Sequence, residues 1–162
     1  MNIIGGEKRG SKLALCASKA VRPTAQRTRE ALFNILQGGR FSLSLSEVTV
    51  IDLFAGTGAI GLEALSRGAR SCVFVEQDQD ALQTLQANIS KLKLEDCAHI
   101  LAKDARQIHS WPGPRADLVF ADPPYSSSLA GEGLHQLLVA NAVVQQAPVS
   151  YTHLTLPTTK NV

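Results

Sequence analysis

The stretch VTVIDLFAGTGAIG, residues 48–61, decides the fold of this chain. Its first seven residues are apolar or β-branched apart from Asp52, and they lack the strict alternation of a half-exposed strand. This pattern predicts a strand that is buried on both faces of a parallel sheet. Three glycines then follow at G-x-G-x-x-G spacing, where glycine allows positive φ and the close approach of a ligand. We therefore predict a strand, a loop that binds a nucleotide-type cofactor, and the start of a helix.

Two acidic residues indicate which cofactor the loop binds. The glycine spacing alone also fits a dinucleotide. Asp52, four residues before Gly56, would repel a pyrophosphate but suits a ligand with an ammonium group, such as S-adenosylmethionine (SAM). Glu76 ends the next apolar stretch, at about the distance at which doubly wound folds hydrogen-bond a ribose. We predict a SAM site, and the alternative is a tight strand-to-helix turn without a ligand.

Length and composition describe one soluble globular domain, with 162 residues of which 44% are hydrophobic and 19% are charged. We expect a cytoplasmic protein without a membrane segment, because no apolar run has membrane-spanning length and the first residues lack a signal-peptide core. The three cysteines have no C-x-x-C spacing and the four histidines are scattered. The sequence therefore predicts reduced thiols and no metal site.

Strand and helix patterns alternate along the rest of the chain, which predicts an α/β doubly wound sheet. A short hairpin around GGEKRG and a helix that begins at Thr24 precede the sheet. After the glycine loop we predict strands over residues 71–76, 98–101 and 118–121, and helices over residues 59–67, 80–92 and 134–146. Asp104 follows the third strand, where its carboxylate could accept from an adenine amine or cap a helix.

The positive charge is concentrated in residues 1–40, which carry eight lysines and arginines against two acids, whereas the rest of the chain is net negative. Arg22, Arg27 and Arg29 lie near the start of the predicted helix, where cations oppose the helix dipole. An anionic partner would explain them better than helix stability does. A basic face that meets phosphates and a solvated charged surface are about equally compatible with the charge alone.

A second motif, ADLVFADPPY at residues 116–125, combines a buried strand with an acid, two prolines and an aromatic ring. Asp122 could accept a hydrogen bond from the exocyclic amine of a base and orient its nitrogen towards a methyl donor. Pro123 and Pro124 would restrict the backbone, and Tyr125 offers a ring for stacking. The alternative for this motif is a strand that ends in a proline turn.

Together these stretches resemble the bacterial 16S ribosomal RNA guanine-N2 methyltransferases, the RsmD family. The matching segments fall within residues 2–125 and are IIGGEKRG, RPTAQRTREALFNIL, DLFAGTGAIGLEALSRGA, VFVEQD and DLVFADPPY. The resemblance implies a Rossmann-like SAM-dependent methyltransferase that acts on the N2 amine of a guanine in 16S rRNA or the small ribosomal subunit. We expect the protein to be a monomer. The resemblance also implies that the cofactor contacts are Asp52, Phe54, Gly56, Gly58, Gly61, Glu76, Asp104 and Ala105. It assigns catalysis to Asp122, Pro123, Pro124 and Tyr125, and RNA docking to Lys8, Arg9, Arg22, Arg27 and Arg29.

The sequence departs from the family near its carboxyl end. The family continues with three more strands after the fourth strand, whereas residues 148–162 have no glycine turn, acid or helical pattern. We therefore expect the last strands to be missing, leaving the fourth strand with an open edge that residues 151–156 cover in part. The expected parts are a basic segment at 1–40, an incomplete methyltransferase core at 41–147 and an atypical tail at 148–162. The alternatives are an adenine-N6 methyltransferase and an inactive RNA-binding or assembly fragment.

Overall fold

The computed structural model describes residues 1–16, 26–38, 42–123, 127–151 and 154–157. Within these residues four α-helices and six strands alternate along most of the chain. No helix in this part of the chain is long and apolar enough to cross a bilayer. In chain order the elements are α1 Gln26–Gln37, β1 Thr49–Leu53, α2 Ala59–Ser66, β2 Ser71–Glu76, α3 Gln79–Leu92, β3 Ala98–Ala102, a 3-10 turn Ala105–Gln107, β4 Leu118–Ala121, α4 Ser127–Val139, β5 Pro148–Tyr151 and β6 Leu154–Pro157.

The strands form one sheet in the order β3-β2-β1-β4-β5-β6. β1 to β5 run parallel, and β6 pairs antiparallel with β5. All five residues of β1 are buried, as its uninterrupted apolar pattern predicts for a central parallel strand. The strand order reverses between β1 and β4, and ligands of open α/β sheets bind at such a switch point.

Hydrophobic clusters cover both faces of the sheet. One face packs against α1, α2 and α3 and contains Val50, Phe74 and Phe120, while the other packs against α4. Neighbouring residues of one strand, such as Val50 and Ile51, belong to opposite clusters because side chains alternate across a strand. The predicted α/β sheet with helices on both faces is confirmed.

Most element bounds agree with the sequence prediction within one residue. β2 and β4 match it, while α3 begins one residue earlier than predicted and β3 ends one residue later. The prediction was wrong for α4, which spans Ser127–Val139 instead of residues 134–146. The segment after α4 leaves the helix because Val143 bridges to Ala116 on its way to β5. Thr24, the expected helix cap, lies outside the described residues.

The fourth strand does not have the expected open edge, and the strand that covers it is Pro148–Tyr151 rather than residues 151–156. β5 pairs with β4 in parallel, with Val149 opposite Val119, and β6 then covers the outer side of β5. Little in the local pattern indicates β5, because the strand has four residues and begins with Pro148. A proline at the first residue of a strand is tolerated since no ladder hydrogen bond is lost there.

The predicted N-terminal hairpin is present as an antiparallel bridge between Asn2 and Lys12. Backbone hydrogen bonds from Ile3 to Ser11 and from Gly10 to Ile3 close it. Ile3 and Leu13 are buried in the same hydrophobic cluster as the sheet. The hairpin is therefore packed onto the core of the sheet rather than standing apart from it.

Candidate active site

Three of the residues singled out from the sequence leave the sheet side by side. Leu53 of β1 is in register with Val75 of β2 and with Ala121 of β4. The residues that follow them are Phe54, Glu76 and Asp122, so these lie at or directly after the carboxyl ends of three adjacent strands. Adjacent strands are about 4.8 Å apart. The edge thus brings the end of β1, the candidate ribose acid and the candidate catalytic acid into one place.

The three glycines of the loop do different things. Gly56 and Gly58 have φ of 56° and 85°, in the left-handed region that favours glycine. Gly58 is the N-cap of α2, and a Cβ atom there would lie 2.4 Å from Leu85 Cδ1. At Gly61 a Cβ would meet the Phe74 ring at 2.4 Å. Gly61 therefore allows α2 to pack closely on β2, whereas the first two glycines shape the loop.

Phe54 adopts an unusual backbone at the end of β1. Its φ is 73°, a left-handed value that is uncommon for a residue with a bulky side chain. The amides of Phe54 and Ala55 both donate to the Val75 carbonyl, at 3.1 and 2.9 Å. These two bonds hold the turn out of β1 in a conformation that costs energy, and such positions cluster at functional sites.

The Glu76 carboxylate holds the glycine loop. Its Oε2 accepts from the Gly56 amide at 2.7 Å. Its Oε1 accepts from the amides of Gln77 and Asp78, at 2.8 and 2.9 Å. The acid that the sequence assigned to a ribose therefore also joins the loop after β1 to the turn that leads into α3. Its contact with a ribose stays a prediction.

Asp52 lies beneath the loop and is almost fully buried. Its Oδ2 accepts from the Gly61 amide at 2.9 Å, in the first turn of α2. Burial raises the pKa of Asp52 to about 7, the Gly61 hydrogen bond opposes this, and the nearby charges of Asp122 and Glu76 add to it. The carboxylate is thus explained by its bond to the helix start, and its predicted contact with a ligand ammonium stays a prediction.

Asp104 caps the 3-10 turn after β3. Its Oδ1 accepts from the Arg106 amide at 2.9 Å, and its Oδ2 lies 2.6 Å from Arg106 Nη2. The hydrogen bonds from Arg106 hold the pKa of this carboxyl below its usual value. Ala105 beside it is buried. Of the two roles that the sequence left open, the structure contains the cap, and the adenine contact stays a prediction.

Asp122 and Pro123 follow β4 and are half-buried. Because the charges of Asp122 and Glu76 both raise the pKa of Asp52, the three carboxylates lie within electrostatic reach of one another. Asp122 and Glu76 give this edge of the sheet a negative potential, which favours a cationic ligand. Pro124 and Tyr125, the rest of the predicted catalytic motif, lie outside the described residues.

The assignment of Arg29 to RNA docking is wrong. The residue is fully buried, with Nη2 donating to the Asn2 carbonyl at 2.7 Å and Nη1 donating to Met1 Sδ. Burial of the guanidinium lowers the pKa of Arg29. Helical spacing could have shown this, because Arg29 shares one face of α1 with the buried residues Leu32 and Phe33.

The other basic residues are divided between two places. Arg9 is exposed in the hairpin loop, and Lys8 is half-buried and forms an ion pair with Glu7 at 2.8 Å. The loop is bonded to Ser66, which ends α2, so about 12 Å of helix separates it from the glycine loop. Arg27 is exposed at the N-terminal end of α1, and Arg22 lies outside the described residues.

Two buried polar residues bond the N-terminal segment, residues 1–16, and were not predicted from the sequence. Glu63 accepts from the amides of Ile4 and Gly5, both at 2.8 Å, and pairs with Arg67 Nε at 2.7 Å. Asn88 binds the backbone of residue 14 and the glycine loop. Asn88 occurs on the apolar face of α3, and a polar residue at such a position was the available signal.

A parallel sheet with a glycine loop after β1 and acids after β2 and β4 defines the class of Rossmann-like methyltransferase folds. The solved structures agree. The structure of yhhF from Escherichia coli, a protein proposed to be a methyltransferase, matches with a TM-score of 0.79 and 33% identity over 92% of this chain and 78% of that one. A hypothetical protein from Thermus thermophilus matches with a TM-score of 0.71 and 31% identity, covering 93% and 84%.

The chain belongs to the family described as conserved hypothetical protein 95, whose model matches residues 1–158. Ribosomal RNA small subunit methyltransferase D of Escherichia coli K12 is 37% identical over 137 residues, which are 85% of this chain and 66% of that protein. The Haemophilus influenzae protein of the same name is 34% identical over 144 residues, covering 87% and 72%. The resemblance to the RsmD family is confirmed, and the chain spans about two thirds of the length of these relatives.

A relative that is named for a different target matches a shorter stretch. The tRNA1(Val) (adenine(37)-N6)-methyltransferase of Pasteurella multocida is 33% identical over 93 residues, which are 56% of this chain and 39% of that protein.

Proposed function

We propose that this chain is a SAM-dependent methyltransferase that modifies the exocyclic N2 amine of a guanine in 16S ribosomal RNA. The observation that carries the proposal is the position of Asp122 directly after β4, the strand next to β1, level with the glycine loop and Glu76. A base that enters beside β4 would meet a cofactor that binds beside β1. The names of two relatives that match most of the chain supply the RNA and the small subunit.

The residues at the edge fit SAM. Glu76 has two oxygens with about four acceptor positions, three of which are used by backbone amides, so one remains for a ribose hydroxyl. The neighbouring carboxylates favour a ligand with positive charge, which suits both the ammonium and the sulfonium of SAM. When bound there, SAM supplies an electrophilic methyl group.

Asp122 has the central part in the proposed mechanism. An exocyclic amine is a poor nucleophile because its lone pair is delocalised into the base. A carboxylate that accepts a hydrogen bond from the amine favours a tetrahedral nitrogen and directs the lone pair towards the methyl group. Pro123 restricts the backbone next to this acceptor. The nitrogen would gain the methyl group as the methyl–sulfur bond of SAM breaks, which would leave the neutral thioether S-adenosylhomocysteine. The amine would lose one proton to solvent water.

Adenine N6 is the second candidate target. It has the same kind of exocyclic amine, and the Pasteurella multocida relative that matches 93 residues is named as an adenine-N6 enzyme. The guanine is favoured because the relatives that match more of the chain are named for the small ribosomal subunit.

The experiment is methyl transfer from isotopically labelled SAM to small-subunit RNA and to small-subunit particles that lack the modification. The product is digested to nucleosides and analysed by mass spectrometry. The proposal predicts label in N2-methylguanosine. Label in N6-methyladenosine would show that adenine rather than guanine is the target. Absence of label from both RNA and particles would contradict the proposed methyltransferase activity.

A further inference from the structure

Asn88 joins two segments that are far apart in the sequence. The residue is fully buried in α3. Its Oδ1 accepts from the Ala14 amide at 2.7 Å, and its Nδ2 donates to the Ala14 carbonyl at 3.2 Å. The same Nδ2 donates to the Thr57 carbonyl at 3.0 Å. One side chain thus bonds the end of the N-terminal segment and the glycine loop at the same time.

Packing alone does not explain a polar residue here. The neighbours of Asn88 on the inner face of α3 include Leu85 and Ile89, which are buried in the core. A buried amide is costly unless its donors and acceptor have partners. Asn88 places its acceptor and both donors on the two backbone segments, so its orientation is fixed by them and it fixes them in turn.

The bond to Thr57 reaches the part of the loop that the glycines shape. Thr57 lies between Gly56 and Gly58, both with positive φ. The Gly56 amide is held by Glu76, while the Thr57 carbonyl is held by Asn88. The loop is therefore held from β2 and from α3, and only the second contact leads on to the N-terminal segment.

We propose that Asn88 is a positioning residue of the cofactor loop and that it couples cofactor binding to the order of the N-terminal segment. A ligand that restricts the loop fixes the Thr57 carbonyl, and this stabilises the amide orientation that also holds Ala14. By reciprocity, a partner that orders the N-terminal segment raises the affinity for the cofactor. The inference rests on the proposed function, because the ligand is the cofactor and the segment carries Arg9.

Hydrogen–deuterium exchange of the whole chain tests the coupling, with S-adenosylhomocysteine, the demethylated cofactor, as the probe. In the unaltered chain the probe should slow exchange at Ala14 about fivefold or more, although Ala14 is not assigned to the cofactor site. Asn88→Ala should abolish this remote protection and weaken binding of the probe about tenfold. Gln86→Ala, on the exposed side of the same helix, is the matched control and should behave like the unaltered chain.

A second variant keeps one bond to the N-terminal segment and removes the bond to the glycine loop. Asn88→Asp keeps an acceptor for the Ala14 amide, but its carboxylate has no donor for the carbonyls of Thr57 and Ala14. It should remove the remote protection even if Asn88→Ala does not fold. Protection of Ala14 that persists in Asn88→Asp, or its absence in the unaltered chain despite bound probe, would overturn the inference.

Exchange without the probe separates this inference from the proposed function. Failure of the unaltered chain to bind the probe would contradict the cofactor site. The hydrogen bonds of Asn88 to both segments still predict that Asn88→Ala speeds amide hydrogen exchange at Ala14 and Gly58 relative to Gln86→Ala. Unchanged exchange at either amide would contradict this connection between the two segments.

Discussion

Glu76 hydrogen-bonds three backbone amides, so its carboxylate shapes the glycine loop in addition to any contact with a ribose. Glu76→Ala should therefore weaken SAM binding by at least about 1–3 kcal/mol, the cost of removing a charged acceptor from its donors. Titration calorimetry measures the affinity, and Glu95→Ala at an exposed turn is the control. Equal affinity in Glu76→Ala and the control would remove Glu76 from the cofactor site.

Asp52 should make stability depend on pH. Its pKa is about 7 in the folded chain against an ordinary value of 3.8, so the unfolded chain ionises first as the pH rises. The folded state then loses stability between about pH 4 and 7, and the loss is complete above pH 7. Asp52→Asn keeps an acceptor for Gly61 but cannot ionise.

The expected result is that Asp52→Asn gains about 2 kcal/mol relative to the unaltered chain between pH 5 and pH 7.5, because one pKa unit corresponds to about 1.4 kcal/mol. Urea unfolding at both pH values gives the two free-energy differences. A difference that is the same at both pH values would show that Asp52 is ionised throughout.

The sequence patterns predicted which residues lie at this site better than they predicted the hydrogen bonds that these residues form. The positions of Glu76 and Asp122 follow from where buried strands end, because parallel strands share one carboxyl edge. The pattern did not reveal that Glu76 bonds the Gly56 amide, since this depends on how the loop turns back over β2. The charge of Arg29 suggests a phosphate contact, whereas its position on the buried face of α1 places it in the core.

At the scale of elements, α2 supports the N-terminal segment through Glu63. Glu63 is fully buried and bonds two backbone amides and Arg67. Glu63→Ala leaves those donors and a largely buried guanidinium without their acceptor, and should lower the free energy of unfolding by about 3–5 kcal/mol.

Glu47→Ala provides the control, because the Glu47–Arg70 pair is exposed, with side-chain exposures of 75% and 61%. An exposed pair contributes about 0–1 kcal/mol. Chemical denaturation compares the two variants. Similar losses in both would contradict the structural role assigned to Glu63.

The two ends of the basic segment should contribute unequally to RNA binding. Arg9 lies in the hairpin loop at the C-terminal end of α2, away from the glycine loop. Arg27 lies at the N-terminal end of α1, whereas Arg67, which follows α2, bonds Gln37 at the C-terminal end of α1. If Arg27 meets a phosphate near the site, Arg27→Glu should reduce the slope of log affinity against log salt by about one, and Arg9→Glu by less.

RNA affinity measured over a range of salt concentrations gives these slopes. Arg115→Glu is the control, because Arg115 is exposed before β4, at the amino edge of the sheet. An Arg27→Glu slope equal to that of the control would show that Arg27 is an ordinary solvent-exposed residue without a phosphate contact.

Elements with a clear apolar pattern of their own, including the four-residue β4, were predicted well, whereas β5 and α4 were not. β2 and α3 have enough apolar residues at their own period to define their bounds. β5 has four residues and depends on pairing with β4, a contact between distant parts of the chain. α4 was displaced because the apolar residues after Val139 belong to the approach to β5 rather than to the helix.

At the scale of the whole molecule, the sheet order explains why the site lies where it does. β1 is flanked by β2 and β4, so the loop after β1 lies between the acids that end its two neighbours. The α1–α3 face anchors the N-terminal segment, while α4 covers the other face. Cofactor and base would therefore approach one edge from adjacent strands.

We propose that Asp122 acts in methyl transfer rather than in cofactor binding, and single-turnover methylation of the RNA by Asp122→Ala distinguishes these two roles. Removing the acceptor that orients the amine should lower the rate about a hundredfold or more, because its contribution is realised mainly as the nitrogen becomes tetrahedral. SAM affinity should stay within a few-fold of the unaltered chain, and Asp96→Ala at an exposed turn should leave the rate unchanged. A near-normal single-turnover rate in Asp122→Ala would contradict the account.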